Sequence, residues 1–380
     1  MTLISAGAIA LDGRICRPGW LQTSGRRILD CGIGIPPAPA DSDWADAVVV
    51  PGFVDMHVHG GGGASYTDGS PADIERAAAF HRGHGTTSTL ASLVTAAPAD
   101  LLTGLRALVE STHLGIVAGI HLEGPWLSPA HCGAHDRTQL RDPDRAEIDA
   151  VLAAGDGAIR MVTLAPERPR TAAATARFLD AGVIVAVGHT DATYEQTRQA
   201  ITAGVTVGTH LFNAMRPLHH REPGPALALL QDPQVTVELI ADGVHVHPEL
   251  VSAVIDGVGP DRIALVTDAT AAAGLGDGTF RLGPVQIDVV SGVACVHGTS
   301  TIAGSTASMD QLFRAVAGSW ADCDAALSAA VQMTSATPAR VLGLDHVGNL
   351  RPGCDANLVV LDRGLQVVRV MANGEWLADV

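Results

Sequence analysis

The sequence contains no lysine, and all 24 of its positively charged side chains are arginines. Mechanisms that form a Schiff base on a lysine amine are therefore excluded. A carboxylated lysine cannot bridge two metal ions in this chain either. Any carboxylate that bridges two ions must come from an aspartate or a glutamate.

Excess positive charge, paired cysteines and long apolar runs are also missing. The formal net charge is −16, and no basic stripe could neutralise phosphates, which argues against a nucleic-acid partner. No apolar run approaches the length that crosses a bilayer, and the first residues lack the basic region of a signal peptide. Six scattered cysteines without a C-x-x-C pair argue against a disulfide framework. We expect a cytoplasmic protein that binds neither membranes nor nucleic acid.

Short apolar runs alternate with alanine-rich amphipathic segments over most of the 380 residues. Several of the amphipathic segments begin with Pro or Thr and end at Gly, which is typical of helices. Eight apolar runs, each followed by a helix or a long loop, predict an α/β protein with a (β/α)8 barrel. A doubly wound open sheet is the alternative, although its glycine-rich phosphate loop is missing after the first strand.

The two ends of the chain have a different pattern from the middle. Residues 1–50 and 346–380 alternate short strand-like pieces with turn signals. Neither piece is long enough to bury a core alone, so we expect both to form one small β-sandwich. Residues 51–345 would then form the barrel, with a β-hairpin inserted near 280–300.

Residues that can ligate metals follow five of the predicted barrel strands. His57 and His59 end the first apolar run, where residues i and i+2 of a strand share one face. Because the carboxyl ends of barrel strands meet at one mouth, these side chains should converge there. Histidine and carboxylate ligands suit zinc, iron, manganese or cobalt. The complete set is His57, His59, Glu123, His189, His210 and Asp268.

Two residues near these strands allow more than one interpretation. Asp268 has the same chemical type as Glu123, so it could act either as a ligand or as a catalytic base. Cys132 lies in the loop after the third strand. It could be an ordinary loop residue, or a thiol near a metal with a lid or regulatory role.

Longer segments around these residues resemble the N-acetylglucosamine-6-phosphate deacetylase family of the amidohydrolase superfamily. The segments are HLEGPWLSPAHCGAH, VGHTDATYEQ, THLFNAMRPLHHREPG, LIADGVHVHPE and LVTDATAAAG, and the similarity extends over the whole chain. The resemblance implies metal-dependent hydrolysis of the acetamide of N-acetylglucosamine 6-phosphate to glucosamine 6-phosphate and acetate. It also implies that Glu123, His189 and His210 hold the main divalent ion.

This chain keeps both histidines of the first strand, so we predict a second ion at His57 and His59, bridged through Glu123 or a hydroxide. In this interpretation Asp268 is the general base and acid for the metal-bound hydroxide. The resemblance assigns His135 to the substrate and the oxyanion.

The resemblance also implies a substrate phosphate held by Arg221 and His245, near the interface of a homodimer. Asn213 and Ala214 could add contacts. A deaminase or a cyclic amidase with the same metal ligands is the first alternative function, and a non-catalytic scaffold is the second.

Overall fold

A computed structural model describes residues 1–67, 69–318 and 323–378 of the chain. The chain divides into two compact units. The first contains Met1–Asp55, Ala79–Ser88 and Ser308–Val380, and the second contains Met56–Ala78 and Thr89–Ala307. Positions 379 and 380, which end the predicted small domain, lie outside the described residues.

Strands and helices alternate through the middle of the chain. The strands are β1 (Thr2–Leu11), β2 (Arg14–Cys16), β3 (Gly19–Ser24), β4 (Arg27–Ile33), β5 (Ser42–Pro51), β6 (Phe53–Asp55), β7 (Gly60–Gly61), β8 (Ala64–Ser65), β9 (Thr86–Leu93), β10 (Gly119–Glu123), β11 (Ile159–Leu164), β12 (Ile184–Val187), β13 (Val207–Gly208), β14 (Thr236–Leu239), β15 (Ile263–Leu265), β16 (Gly278–Leu282), β17 (Val285–Val290), β18 (Val293–Val296), β19 (Leu358–Leu361), β20 (Val367–Ala372) and β21 (Glu375–Trp376). The α-helices are α1 (Pro71–Gly83), α2 (Pro98–His113), α3 (Arg145–Gly155), α4 (Thr171–Asp180), α5 (Tyr194–Thr202), α6 (Gly224–Gln231), α7 (Pro248–Val258), α8 (Met309–Ala317), α9 (Cys323–Val331) and α10 (Thr337–Val341).

Strands from both ends of the chain form one sheet. Its order is β21-β20-β19-β5-β1-β3-β4, and β2 pairs with β1. Strand β5 lies at the junction, because it pairs parallel to β1 and antiparallel to β19. The apolar side chains of these strands share one core, which includes Ile4, Ile9 and Leu358. The two ends therefore complete one hydrophobic core together.

A second eight-stranded sheet has the order β6-β9-β10-β11-β12-β13-β14-β15, so strands that follow each other along the chain are neighbours. Every residue of β10 and of β14 is buried, as expected for parallel strands covered on both faces. Backbone hydrogen bonds beyond the strand ends join the first and last positions of this order. Asp268 N–H donates to His57 O at 2.9 Å, and His59 N–H donates to Ala269 O at 2.8 Å. This confirms the predicted (β/α)8 barrel and rules out the open doubly wound sheet.

The apolar run of residues 48–59, which predicts the first barrel strand, is longer than that strand at both ends. Residues 48–51 belong to β5 of the other sheet, and the barrel strand β6 covers only Phe53–Asp55. The break falls at Gly52, whose N–H donates to Asn357 O at 2.9 Å instead of continuing the barrel strand. His57 and His59 therefore lie after the strand, and the argument from strand periodicity was wrong for them.

The predicted hairpin near 280–300 is a three-stranded antiparallel sheet, β16-β17-β18. Strands β17 and β18 are joined at Ser291 and Gly292, which both have positive φ angles of 53° and 79°. Two such residues make a type I′ turn, whose twist matches that of a hairpin. Within the described ranges, no helix is long and apolar enough to cross a membrane.

Candidate metal centre

Three of the predicted site residues have left-handed backbone conformations just after their strands. The φ angles are 47° at His189, 27° at His210 and 48° at Asp268. Such conformations cost about 1–3 kcal/mol for residues other than glycine and persist only where surrounding contacts fix them. At His210 the N–H donates to Glu238 Oε2 at 3.1 Å, and at Asp268 the N–H donates to His57 O. The turns direct these side chains toward one point at the barrel mouth.

A first group of ligand-type atoms surrounds one oxygen of Glu123. His189 Nε2 lies 2.9 Å and His210 Nε2 lies 3.0 Å from Glu123 Oε1, and the two nitrogens are 3.0 Å apart. All three side chains are buried. Burial, together with the neighbouring His135, lowers the pKa of His189 to about 4, so this ring is neutral.

A second group contains the two histidines that follow β6. His57 Nε2 and His59 Nε2 are 3.2 Å apart. His59 Nε2 also lies 3.1 Å from Glu123 Oε2 and 3.1 Å from Asp268 Oδ1. Glu123 therefore contributes to both groups, with its two oxygens facing different histidines.

The outer nitrogens of three of these histidines define their tautomers. The Nδ1 atoms of His59 and His189 face only backbone carbonyls, at 3.2 Å from Ser92 O and 2.9 Å from His131 O. Since a carbonyl only accepts, Nδ1 carries the hydrogen, and the Nε2 lone pair of a neutral ring points into the site. His57 Nδ1 faces a carboxylate oxygen of Glu238 in the same way, at 3.0 Å. Lone pairs and carboxylate oxygens that crowd one space need a cation between them, so these residues fit a divalent metal ion.

The charges around the second group point to the same conclusion. Burial disfavours the charged form of His57, but the carboxylates of Glu123, Glu238 and Asp268 outweigh it and hold the pKa of His57 well above its usual range. Burial is likewise outweighed at His59, where hydrogen bonds to Asp268 and Glu123 raise the pKa to about 9. The excess negative charge here stabilises any positive charge, whether it is carried by a proton or by a metal ion.

His135 has the opposite arrangement of nitrogens from the ligand-type histidines. Its Nδ1 accepts a hydrogen bond from Thr95 N–H at 3.2 Å, so the hydrogen of the neutral ring is on Nε2. That Nε2 lies 3.3 Å from Glu123 Oε2. The ring thus presents a donor to the site, which suits contact with a substrate oxygen and not metal ligation.

His121 lies beside the centre but has no nitrogen available for a metal. Its Nδ1 is 2.9 Å from Ser92 Oγ and its Nε2 is 2.9 Å from Thr163 Oγ1. The ring packs edge-on against His57, with centroids 4.5 Å apart. His121 therefore packs against the candidate ligand His57 and is not itself a candidate ligand.

A cavity of about 390 Å³ is lined by residues of both ligand groups. Asn213, Ala214 and His245 line it together with His135. The lining also includes His59, Glu123, His189, His210 and Asp268. His245 Nδ1 lies 2.7 Å from Asp242 Oδ2, which leaves its Nε2 for a ligand. This volume is typical of a site for a small molecule.

Two residues that the sequence predicts for the site, Arg221 and Cys132, do not line this cavity. Arg221 is exposed, lies outside the cavity lining and has its Nη1 2.7 Å from His220 Nε2. The structure thus does not bring Arg221 to the site of its own chain. Cys132 is half-buried and has no disulfide partner, and the cavity is lined by its neighbours His131 and Gly133 instead.

Several residues of the site are not among those that the sequence indicates. Leu282 and Ile302, from the inserted sheet and the segment after it, line the cavity. Glu238 contacts His57 from inside the barrel wall. A carboxylate within the apolar run VTVELIA was a signal for Glu238, because a buried acid needs a partner. No comparable signal marks Leu282 or Ile302.

The chain is similar to known amidohydrolases over most of its length. Residues 48–377 match the amidohydrolase family. An N-acetylgalactosamine-6-phosphate deacetylase of Escherichia coli O157:H7 is 36% identical over 364 residues, covering 94% of this chain and 95% of its own length. An N-acetylglucosamine-6-phosphate deacetylase of Bacillus subtilis (strain 168) is 33% identical over 388 residues, covering 98% and 96%. A solved structure of N-acetyl-D-glucosamine-6-phosphate deacetylase from Mycobacterium smegmatis, an aspartate-to-alanine mutant in complex with N-acetyl-D-glucosamine-6-phosphate, is 53% identical. Its TM-score is 0.97, and the match covers 99% of this chain and 98% of that one.

Proposed function

The chain belongs to the amidohydrolase family, and from this membership we propose that it hydrolyses the acetamide of N-acetylglucosamine 6-phosphate to glucosamine 6-phosphate and acetate. The observation that carries the proposal is the pair of buried ligand groups joined by Glu123, residues of which line a cavity of suitable size. Deacetylases that act on 6-phosphorylated amino sugars match nearly the full length of the chain, which supports the same substrate class.

Two divalent ions per subunit are part of this proposal. Glu123, His189 and His210 would hold the first, and His57, His59 and Glu123 the second, with zinc, iron, manganese or cobalt compatible with these ligands. A bound divalent ion lowers the pKa of water to about 7 and polarises a carbonyl. The absence of lysine leaves Glu123 as the carboxylate common to both groups.

The proton transfers fall to Asp268. Its carboxylate lines the cavity, and burial is outweighed by His57 and His59, so the pKa of Asp268 lies well below its usual range. The side chain is therefore ionised and can accept a proton from the attacking water, then deliver it to the departing amine nitrogen. His135, which donates from Nε2, is suited to bind the oxygen of the amide carbonyl as negative charge develops there.

Binding of the phosphate requires local positive charge, since the net charge of −16 opposes attraction of an anion over long distances. His245 lines the cavity, whereas among the described residues no arginine does. We therefore propose that Arg221 reaches the phosphate in the partner subunit of a homodimer, where its planar fork suits phosphate oxygens. Mixing Arg221→Ala subunits with Asp268→Asn subunits tests this. Restored activity is expected, because one site per mixed dimer would be complete. No restoration would show that the partner subunit does not supply Arg221 to the site.

The test of the main proposal is acetate release from N-acetylglucosamine 6-phosphate before and after chelation, beside the unphosphorylated sugar and the galactosamine epimer. Release that is lost on chelation and requires the phosphate is the expected result. Preference for the epimer would assign the chain to the activity of the Escherichia coli relative. No release from any of the three sugars by metal-loaded protein would favour a deaminase, a cyclic amidase or a scaffold.

A further inference from the structure

Glu238 is a carboxylate in the interior of the barrel wall, outside the ligand groups and the cavity. It lies on β14, and its exposed fraction is 0%. No arginine among the described residues forms an ion pair with Glu238. Its carboxylate faces the imidazole of His57 instead. Its Oε1 atom makes no hydrogen bond within the described part of the chain. A buried carboxylate in such surroundings is costly, so stability of the fold does not explain this residue.

The other oxygen of Glu238 contacts one residue from each of the two ligand groups. Oε2 lies 3.0 Å from Nδ1 of His57, and the backbone N–H of His210 donates to it at 3.1 Å. The first contact fixes which nitrogen of His57 faces the ions. The second helps to hold the left-handed turn that directs the His210 side chain into the other group. One oxygen atom thus connects a ring from the second group with the backbone of a ligand from the first.

We propose that Glu238 is a positioning residue that sets the affinity of the His57–His59 group for its ion. The inference rests on the proposed two-ion site. The two contacts are unequal, because His57 depends on Glu238 for the tautomer and orientation of the ring, whereas His210 receives only a backbone contact. Loss of Glu238 should therefore weaken the second ion far more than the first. Outer-shell partners of metal-bound histidines typically change metal affinity by about 10–100-fold.

The experiment is a calorimetric titration of chelated, full-length protein with Zn²⁺, together with the metal content after gel filtration. Wild-type protein should bind two equivalents. Glu238→Ala should bind the first equivalent within threefold of wild type and the second about 10–100-fold more weakly. Glu238→Gln keeps an acceptor oxygen for His57 and should recover most of the second affinity. If Glu238→Ala does not fold, Glu238→Leu fills the space and carries the same expectation.

Asp310→Asn is a matched control, because Asp310 is a buried acid that pairs with His84 and Arg314 in the other unit. Its loss should lower stability without changing either equivalent of Zn²⁺. Two equivalents bound with wild-type affinity by Glu238→Ala would overturn the inference and leave the two-ion site intact. Glu238→Gln as weak as Glu238→Ala would overturn positioning through the acceptor oxygen. One equivalent in wild-type protein would overturn both proposals, while acetate release would still report on the deacetylase activity separately.

Discussion

Replacing Asp268 with asparagine should separate the chemistry of this side chain from its structural role. Asp268 has a φ angle of 48°, a conformation that asparagine tolerates at least as well as aspartate. The backbone hydrogen bonds to His57 O and from Ser305 N–H do not involve the side chain and remain available. We therefore expect the backbone around residue 268 to keep its conformation in this variant.

The kinetic effect should be large. The amide cannot accept the proton of water or deliver one to the amine, and general acid–base catalysis contributes about 10²–10⁴-fold to rates. A fall of that size in kcat corresponds to about 3–5 kcal/mol in the activation barrier. Asp268 Oδ1 is 3.1 Å from His59 Nε2 and farther, at 3.5 Å, from His57 Nε2. The three ligands proposed for the first ion do not include Asp268, so that ion should remain bound.

The assay measures kcat and KM for acetate release, with bound metal and the thermal unfolding temperature determined on the same preparation. The expected result is a fall in kcat of at least 100-fold with bound metal retained. Asp268→Ala serves as the comparison, since alanine loses the same chemistry but also bears the left-handed strain, about 1–2 kcal/mol. Turnover near the wild-type value in Asp268→Asn would refute the role of Asp268 as the base.

Three further predictions test the surroundings of the centre. Gly304→Ala should lower kcat at least tenfold and the free energy of unfolding by about 2–3 kcal/mol. The reason is that the added Cβ would lie 2.7 Å from Asp268 O, at a backbone φ of 59°. Gly298→Ala is the control for backbone strain alone, because Gly298 has a φ of 71° and open space around it. Asp310→Asn should cost about 2 kcal/mol at pH 7, because hydrogen bonds from His84, Ser308 and Arg314 outweigh burial and lower the pKa of Asp310 to about 2. That stabilisation is present above pH 4 and is lost as the pH falls through 2, so denaturant curves at pH 7 and pH 2.5 should show the variant and wild type converging in acid. Asp191→Ala should weaken the first equivalent of Zn²⁺ by about 3–10-fold with less than about 1 kcal/mol of stability lost. The reason is that half-exposed Asp191 holds His131, whose carbonyl accepts from His189 Nδ1. An unchanged titration would contradict this.

Much of the fold follows from local pattern. Buried parallel strands such as β10 and β14 are continuous apolar runs, and the helices between them begin at residues such as Pro71, Pro98 and Pro248. The carboxyl ends of barrel strands meet at one mouth, so the strand order alone brings Glu123 and His189 together. The first strand shows the limit of this approach. The sequence indicates His57 and His59 because residues i and i+2 of a strand share one face, although neither residue lies in a strand.

The parts of the site that the sequence did not predict depend on partners far along the chain. The role of His135 as a donor depends on Thr95, 40 residues earlier, whose N–H occupies Nδ1. The tautomer of His57 depends in the same way on Glu238, 181 residues later. A residue type and its spacing indicate that an imidazole faces a site, but not which nitrogen carries the hydrogen. That property separates a metal ligand from a hydrogen-bond donor, and it requires the three-dimensional contacts.

Glu123 is the carboxylate that both ligand groups share, in a chain that has no lysine. Without lysine, a carboxylate that serves two ions must be supplied by an acid, and a glutamate at the end of a strand can present its two oxygens in different directions. Oε1 faces His189 and His210, whereas Oε2 faces His59 and His135. The same side chain thus contacts histidines that present lone pairs and one, His135, that presents a hydrogen. A shift of Glu123 would therefore change both ligand groups and the position of the His135 donor at once. The burial of Glu123 among these rings keeps it in place, and outer contacts such as Glu238 to His57 hold the rings in turn.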